Sequence, residues 1–101
     1  MAILITQKVP ADSDKLIQYT KDNPDALTNI VEKAKTYGVI SHRFYASGGD
    51  VMVVDEWPDE DSFQAFFAAS SPEIQEAMAA AEASAPPEIT FWTKLDTGDE
   101  I

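Results

Sequence analysis

The chain has 101 residues and a mass of 11.1 kDa, and its 18 acidic and 7 basic side chains give a formal charge of −11. This length predicts one domain, and a hydrophobic fraction of 45% predicts that the chain folds. The acidic excess argues against nucleic acid and anionic membrane surfaces as partners, and the lack of cysteine excludes disulfides and thiolate chemistry.

The first residues of the chain predict a strand. Residues 2–9 are rich in β-branched and aliphatic side chains and stop at Pro10, whose missing amide hydrogen would interrupt a strand ladder. No basic leader accompanies this run, and no segment is long enough to span a membrane. We therefore expect a cytoplasmic protein without a membrane partner.

Two helical segments separated by Pro24 are predicted next. Asp12 or Ser13 offers an N-cap for a helix that contains Leu16, and Pro24 then interrupts it. Beyond the proline, apolar residues recur at the spacing of one helix face, and Gly38 is a suitable C-terminal stop. The apolar residues are Leu27, Ile30, Val31 and Ala34.

A hairpin and a last strand complete the predicted sheet. Strands are expected over Val39–Tyr45 and Val51–Trp57, and the glycines of Ser47–Asp50 favour a turn between them. The last strand is predicted over Ile89–Leu95, and residues 96–101 form a polar C-terminal tail.

A helix with acidic residues in its first turn is predicted after the hairpin. Its carboxylates suit a helix N-terminus, and its phenylalanines recur at helical spacing. Ser70–Glu73 (SSPE) then predicts that the helix stops and restarts, because Ser caps and Pro belongs in a first turn. The second segment carries Ile74, Met78 and Ala81 on one face and ends before Pro86–Pro87.

The element order β-α-β-β-α-β predicts an α+β, ferredoxin-like domain over residues 1–95, with an antiparallel sheet and helices on one face. The predicted strands carry apolar groups on both faces, although the helices can cover only one. The simplest cover for the other face is a second copy of the sheet, so we expect a homodimer.

A resemblance to a known family rests on Asp50–Phe63 (DVMVVDEWPDEDSF), followed by Phe66–Phe67 and Ser70–Pro72. The pattern is a hydrophobic strand that ends in Glu-Trp, an acidic turn, an aromatic-bearing helix and a Ser-Pro restart. It resembles the dimeric α/β-barrel superfamily, especially its antibiotic-biosynthesis monooxygenase-like branch, over nearly the whole chain. The resemblance implies a dimeric α/β barrel. It leaves the chemistry open, because the superfamily includes cofactor-independent oxygenases, haem-degrading enzymes and isomerases.

Haem degradation is not expected from this sequence. In the haem-degrading members, the resemblance would require an asparagine in the first strand, a tryptophan in the helix after the Glu-Trp strand end, and an iron-ligating histidine further on. Those positions hold Gln7, Phe66 and Glu76. The usual axial ligand is therefore missing. The acidic turn also lacks the spacing of a calcium loop, so we expect neither a cofactor nor a metal site.

His42 is the candidate catalytic residue, because it is the only histidine and imidazole exchanges protons near neutral pH. Strand alternation places it on the face that carries Phe44, opposite Arg43 and Tyr45. The sequence does not decide which sheet face this is. It also leaves open whether His42 is a general base for a phenol-like substrate or a strand histidine without a catalytic role.

Six aromatic residues are candidates for binding a flat substrate between the sheet and the helices. They are Phe44, Trp57, Phe63, Phe66, Phe67 and Trp92. The alternative is that aromatic residues at this spacing form the core.

Two functions are compatible with the sequence. The first is a cofactor-independent, monooxygenase-like enzyme that acts on a small aromatic or polyketide-like substrate, with His42 or a tyrosine assisting deprotonation and Trp57 stacking on the ligand. The second is a non-catalytic homodimer that binds a small apolar or aromatic ligand or a protein partner. The second predicts ligand or partner binding without turnover.

Overall fold

The computed structural model describes residues 2–101. In chain order its elements are β1 (Ile3–Pro10), α1 (Ser13–Asp22), α2 (Ala26–Thr36), β2 (Ser41–Ser47), β3 (Asp50–Trp57), α3 (Glu60–Ala80) and β4 (Glu88–Thr93). The strands form one antiparallel sheet in the order β2-β3-β1-β4. This arrangement confirms the predicted α+β, ferredoxin-like fold. None of the described helices is long and apolar enough to cross a membrane.

The first helical segment is divided where Pro24 predicts a break. The carboxylate of Asp12 caps α1 by accepting hydrogen bonds from the amides of Asp14 and Lys15, at 3.0 and 3.1 Å. The helix ends at Asp22, and α2 begins at Ala26, just beyond the proline.

The predicted interruption at Ser70–Glu73 is wrong, because α3 runs unbroken from Glu60 to Ala80 with Pro72 inside it. Asp59 caps the start, and its carboxylate accepts a 2.7 Å hydrogen bond from the Ser62 amide that lowers the pKa of Asp59. Pro72 has no amide hydrogen for the helix ladder. Buried residues on both sides of it hold the helix against the sheet, and the Lys33 ammonium donates to the Ala69 carbonyl at 2.6 Å.

Several strand boundaries differ from the sequence prediction. The hairpin loop contains only Gly48 and Gly49, both with positive φ (55° and 87°), so β2 continues to Ser47 instead of ending at Tyr45. At its start, β2 begins at Ser41, two residues later than expected. The last strand covers Glu88–Thr93 and stops before Leu95, which is 75% exposed.

The core lies between the sheet and the helices. Its largest fully buried side chains are Trp57 at the end of β3 and Phe63 on α3, whose rings meet edge to face at 5.8 Å. Ile5, Ala34 and Phe66 complete the same cluster. A second cluster packs α1 and the end of α3 against Val9 and Val51; its other members are Ala11, Leu16 and Ala81.

None of the helices in the described part of the chain covers the opposite face of the sheet. Leu4 on β1 pairs with Trp92 on β4, and both side chains are exposed, at 40% and 51%. Tyr45, on β2, is 52% exposed on the same face, next to its partner Met52. Large apolar side chains are thus exposed on this sheet face, and exposed apolar surface is often covered by another surface. We call this surface the open face.

Candidate functional site

A cavity lies between the sheet and the helices α2 and α3. Its volume is about 70 Å³, which is room for several water molecules. Most of its wall is aliphatic or aromatic; the polar side chains that line it are Gln7, His42 and Asp55. An apolar wall with a few polar groups is the lining that sites for small organic ligands usually have.

His42 and Asp55 are partners across the β2–β3 hairpin. The His42 Nδ1 atom lies 2.6 Å from Asp55 Oδ1, the distance of a strong, charge-assisted hydrogen bond. Asp55 is 3% exposed, whereas the His42 side chain is 26% exposed. A buried carboxylate is thus joined to an imidazole that solvent or a ligand can reach.

The second carboxylate oxygen of Asp55 is also occupied. The Trp57 indole Nε1–H donates to Asp55 Oδ2 at 3.3 Å, from two residues along the same strand face. Trp57 is itself fully buried. A buried carboxylate needs such partners because an unpaired one would be strongly destabilising. Asp55 is therefore held between one donor in the core and one at the cavity.

This arrangement determines which nitrogen of His42 is free. A carboxylate accepts hydrogen bonds, so Nδ1 carries the proton that it donates to Asp55, and Nε2 of the neutral ring is left as an acceptor. The Phe44 ring packs edge to face on the imidazole, with the ring centroids 5.1 Å apart. The group can take a proton from a ligand, and the resulting imidazolium would be stabilised by Asp55.

The structure brings together only some of the predicted site residues. His42, Phe44 and Phe66 line the cavity. Trp57 and Phe63 are fully buried in the core and lie outside the cavity wall. The expected stacking of Trp57 on a ligand does not fit this burial; its contact with the site is the hydrogen bond to Asp55.

Two more of the candidates lie away from the cavity. Phe67 stacks on Phe63 at 5.5 Å in the core. Trp92 does not lie between the sheet and the helices, because strand alternation turns it to the open face, where its Nε1–H donates to Thr6 Oγ1 at 2.9 Å. We therefore do not include Trp92 in the candidate site.

Sequence reasoning missed Asp55 as the partner of His42. The signal was in the turn: if Gly48 and Gly49 alone form the loop, Ser47 pairs with Asp50, and counting back along both strands pairs His42 with Asp55. The predicted strand ends at Tyr45 and Val51 leave a longer loop, which does not define the register. Within residues 2–101, no group of three or more His, Asp or Glu side chains could hold a metal ion.

Solved structures of similar shape come from several organisms. A dimeric ferredoxin-like protein from an uncultured marine organism has a TM-score of 0.67 and 12% identity, covering 94% of this chain and 89% of that one. SnoaB, a cofactor-independent oxygenase from Streptomyces nogalater, has a TM-score of 0.66 and 13% identity, covering 98% of both chains. A Streptomyces coelicolor monooxygenase from the gene ActVA-Orf6, in complex with nanaomycin D, has a TM-score of 0.62 and 21% identity, covering 95% of this chain and 88% of that one.

No protein-family model and no curated protein matches the chain. The structural matches extend over nearly the whole of each chain, while the sequence identities are low, so what they establish is the architecture. The chain has the ferredoxin-like α+β fold shared by antibiotic biosynthesis monooxygenases and dimeric ferredoxin-like proteins.

Proposed function

We propose that the chain is a cofactor-independent, monooxygenase-like enzyme that oxidises a small flat phenol in the cavity. The observation that carries the proposal is the hydrogen bond of 2.6 Å between His42 and the buried Asp55, at the wall of an otherwise largely apolar cavity. The fold supports it, since proteins of similar shape include a cofactor-independent oxygenase and a ligand-bound monooxygenase.

In the proposed reaction, His42 Nε2 removes the phenolic proton. The electron pair of the phenolate is delocalised to the ring carbon para to the oxygen, and this carbon reduces O₂ and forms a C–O bond. The resulting peroxide anion takes the proton back from His42 and becomes a hydroperoxide. The hydroperoxide then loses water, with cleavage of its O–O bond and loss of the hydrogen on that carbon, to leave a quinone. For 1,5-dihydroxynaphthalene the balance is C₁₀H₈O₂ + O₂ → C₁₀H₆O₃ + H₂O. The apolar wall favours this step by excluding water from the carbanion.

The test is oxygen uptake with 1,5-dihydroxynaphthalene as the substrate. The enzyme should consume one O₂ for each quinone formed, faster than the uncatalysed background, and one quinone oxygen should derive from ¹⁸O₂. The rate should be unchanged by EDTA and by added flavin. Saturable binding of this naphthol without oxygen uptake above background would contradict catalysis and support the non-catalytic ligand-binding function.

We also propose that a second copy of the chain covers the open face. The exposed Leu4, Tyr45 and Trp92 on that face support the proposal, as does the similarity to a dimeric ferredoxin-like protein. A face that packs on its own copy about a two-fold axis would remove these side chains from water without any further element.

The dimer predicts a mass of about 22 kDa in light scattering, twice the 11.1 kDa of the chain. Val54 lies at the middle of the open face, between Thr6 and Arg43 on the neighbouring strands. Val54→Lys should give a folded monomer, because it places a charge in the interface. Thr28→Lys, the same charge on the exposed side of α2, should remain dimeric. A wild-type mass of 11 kDa at micromolar concentration would refute the dimer.

A further inference from the structure

Gln7 is a polar residue on the cavity wall that the proposed reaction does not use. It lies on β1 and is half-buried. Its direct neighbours on the helix-facing side of the sheet are hydrocarbon: Ile5 and Val9 along β1, Val53 on β3 and Ile89 on β4. Asp55 is a diagonal neighbour on β3, but both of its carboxylate oxygens already accept hydrogen bonds from other side chains. The four hydrocarbon side chains cannot donate to or accept from an amide. A half-buried amide among such neighbours loses free energy unless a water or a ligand binds it.

The helix side of the cavity does not offer Gln7 a partner either. The residues of α2 and α3 that line the cavity are all apolar, from Leu27 on α2 to Met78 on α3. The amide of Gln7 is therefore a hydrogen-bonding group presented to whatever occupies the cavity.

Strand pairing gives the position of Gln7 relative to His42. Gln7 pairs with Val53, and Val53 pairs with Phe44. His42 lies two residues before Phe44 on the same face of β2. Gln7 is therefore two strands away from His42 and two residues along the strand direction. Two inter-strand spacings of about 4.8 Å and one pleat repeat of about 6.8 Å put the two Cβ atoms about 12 Å apart. Both side chains extend from the same face, so they approach opposite ends of a ligand of about two fused rings.

We propose that Gln7 determines specificity by donating a hydrogen bond from its Nε2 to a carbonyl oxygen at the end of the ligand opposite the phenol. The preferred ligands are thereby flat bicyclic phenols that carry a carbonyl at the end opposite the hydroxyl. This inference rests on the proposed ligand site, with the phenol at His42, but it does not require turnover.

The probes are 2-acetyl-6-hydroxynaphthalene and 6-isopropenyl-2-naphthol, in which a methylene group replaces the carbonyl oxygen. Dissociation constants are measured by fluorescence titration, without oxygen chemistry. Wild-type protein should prefer the ketone by about 3- to 10-fold, the range expected for one hydrogen bond. Gln7→Leu, which keeps the size of the side chain, should lose this preference by binding the ketone more weakly.

Gln64→Leu is the matched control, since it makes the same change on the exposed surface of α3 and should keep the wild-type preference. Gln7→Glu should also lose the preference, because a carboxylate cannot donate to a carbonyl. If wild type and Gln7→Leu bind both probes with the same ratio, the role of Gln7 is refuted while the ligand site stands. If wild type binds neither probe, the ligand site and this inference both fail. If the ratio changes as expected but no oxygen is consumed, Gln7 keeps its role and catalysis is refuted.

Discussion

The His42→Ala variant should oxidise 1,5-dihydroxynaphthalene at least about 100-fold more slowly than the wild type, because a general base contributes 10²–10⁴-fold. The loss should appear in kcat, since the phenol still enters the apolar cavity. Oxygen uptake measures the rate, and fluorescence titration of the same naphthol measures binding. Thermal unfolding provides the control, because the variant leaves Asp55 with only the Trp57 indole as a partner. Unchanged turnover would refute the role of His42 as the base.

Asp55→Asn tests whether the orientation of the imidazole matters. The Trp57 indole can only donate, so the new amide should turn its oxygen to Trp57 and its NH₂ group to His42. His42 Nδ1 must then accept, and the ring proton moves to Nε2, where it blocks proton removal from the phenol. We expect a loss of about 100-fold in kcat with little change in the dissociation constant of the naphthol.

A second substitution separates tautomer control from a merely structural effect. In the double variant Asp55→Asn with Trp57→Phe, no indole restricts the amide, so its oxygen can face His42 and restore the reactive tautomer. The double variant should therefore be faster than Asp55→Asn alone, even though Trp57→Phe removes a buried contact. If the double variant is slower than both single variants, Asp55 serves the packing of the site and not the tautomer.

The Phe63→Ala variant should lose about 3–5 kcal/mol of unfolding free energy, the usual cost of deleting a fully buried phenylalanine. Phe63 is 0% exposed, and its ring contacts Trp57, Phe67 and Phe91 at centroid distances of 5.5–5.9 Å. The substitution opens a cavity where α3 meets the sheet. Because a small domain has only about 5–15 kcal/mol in total, much of the stability should disappear.

Urea unfolding at a fixed protein concentration measures this loss, since dimer formation would make the midpoint depend on concentration. Phe67→Ala is the matched control: Phe67 lies on the same helix but is only half-buried, so its loss should be smaller. Equal losses for the two variants would show that Phe63 does not have the central place in the core that its burial indicates.

The order of strands and helices could be predicted from the sequence because each of these elements has a local signal. The β-branched run before Pro10, the apolar stripe of α2 and the glycines of the hairpin each identify their own element. The unbroken α3 could not be predicted in this way. The Ser-Ser-Pro-Glu segment favours a break locally, whereas Phe63 and Ala77, buried against the rest of the protein on either side of Pro72, keep the helix continuous. Tertiary packing outweighed one missing hydrogen bond.

The candidate site was only partly visible in the sequence for a related reason. His42 was identifiable because it is the only histidine, and its face followed once the helices were placed. Trp57 and Trp92 look alike as aromatic residues near strand ends, but strand alternation and register put one in the core and the other on the open face. Asp55 required the pairing of two strands, which is a non-local property unless the length of the turn is known.

The turn at Gly48–Gly49 has a consequence for how this chain tolerates inserted residues. Exposed loops usually accept insertions because they contact nothing. This turn contacts no part of the cavity, yet its length decides which residue of β3 is opposite His42. A shift of the pairing by one residue would turn Asp55 and His42 to opposite faces of the hairpin. The length of this solvent-exposed loop therefore determines whether Asp55 lies opposite His42. For this purpose the number of loop residues matters more than their identity.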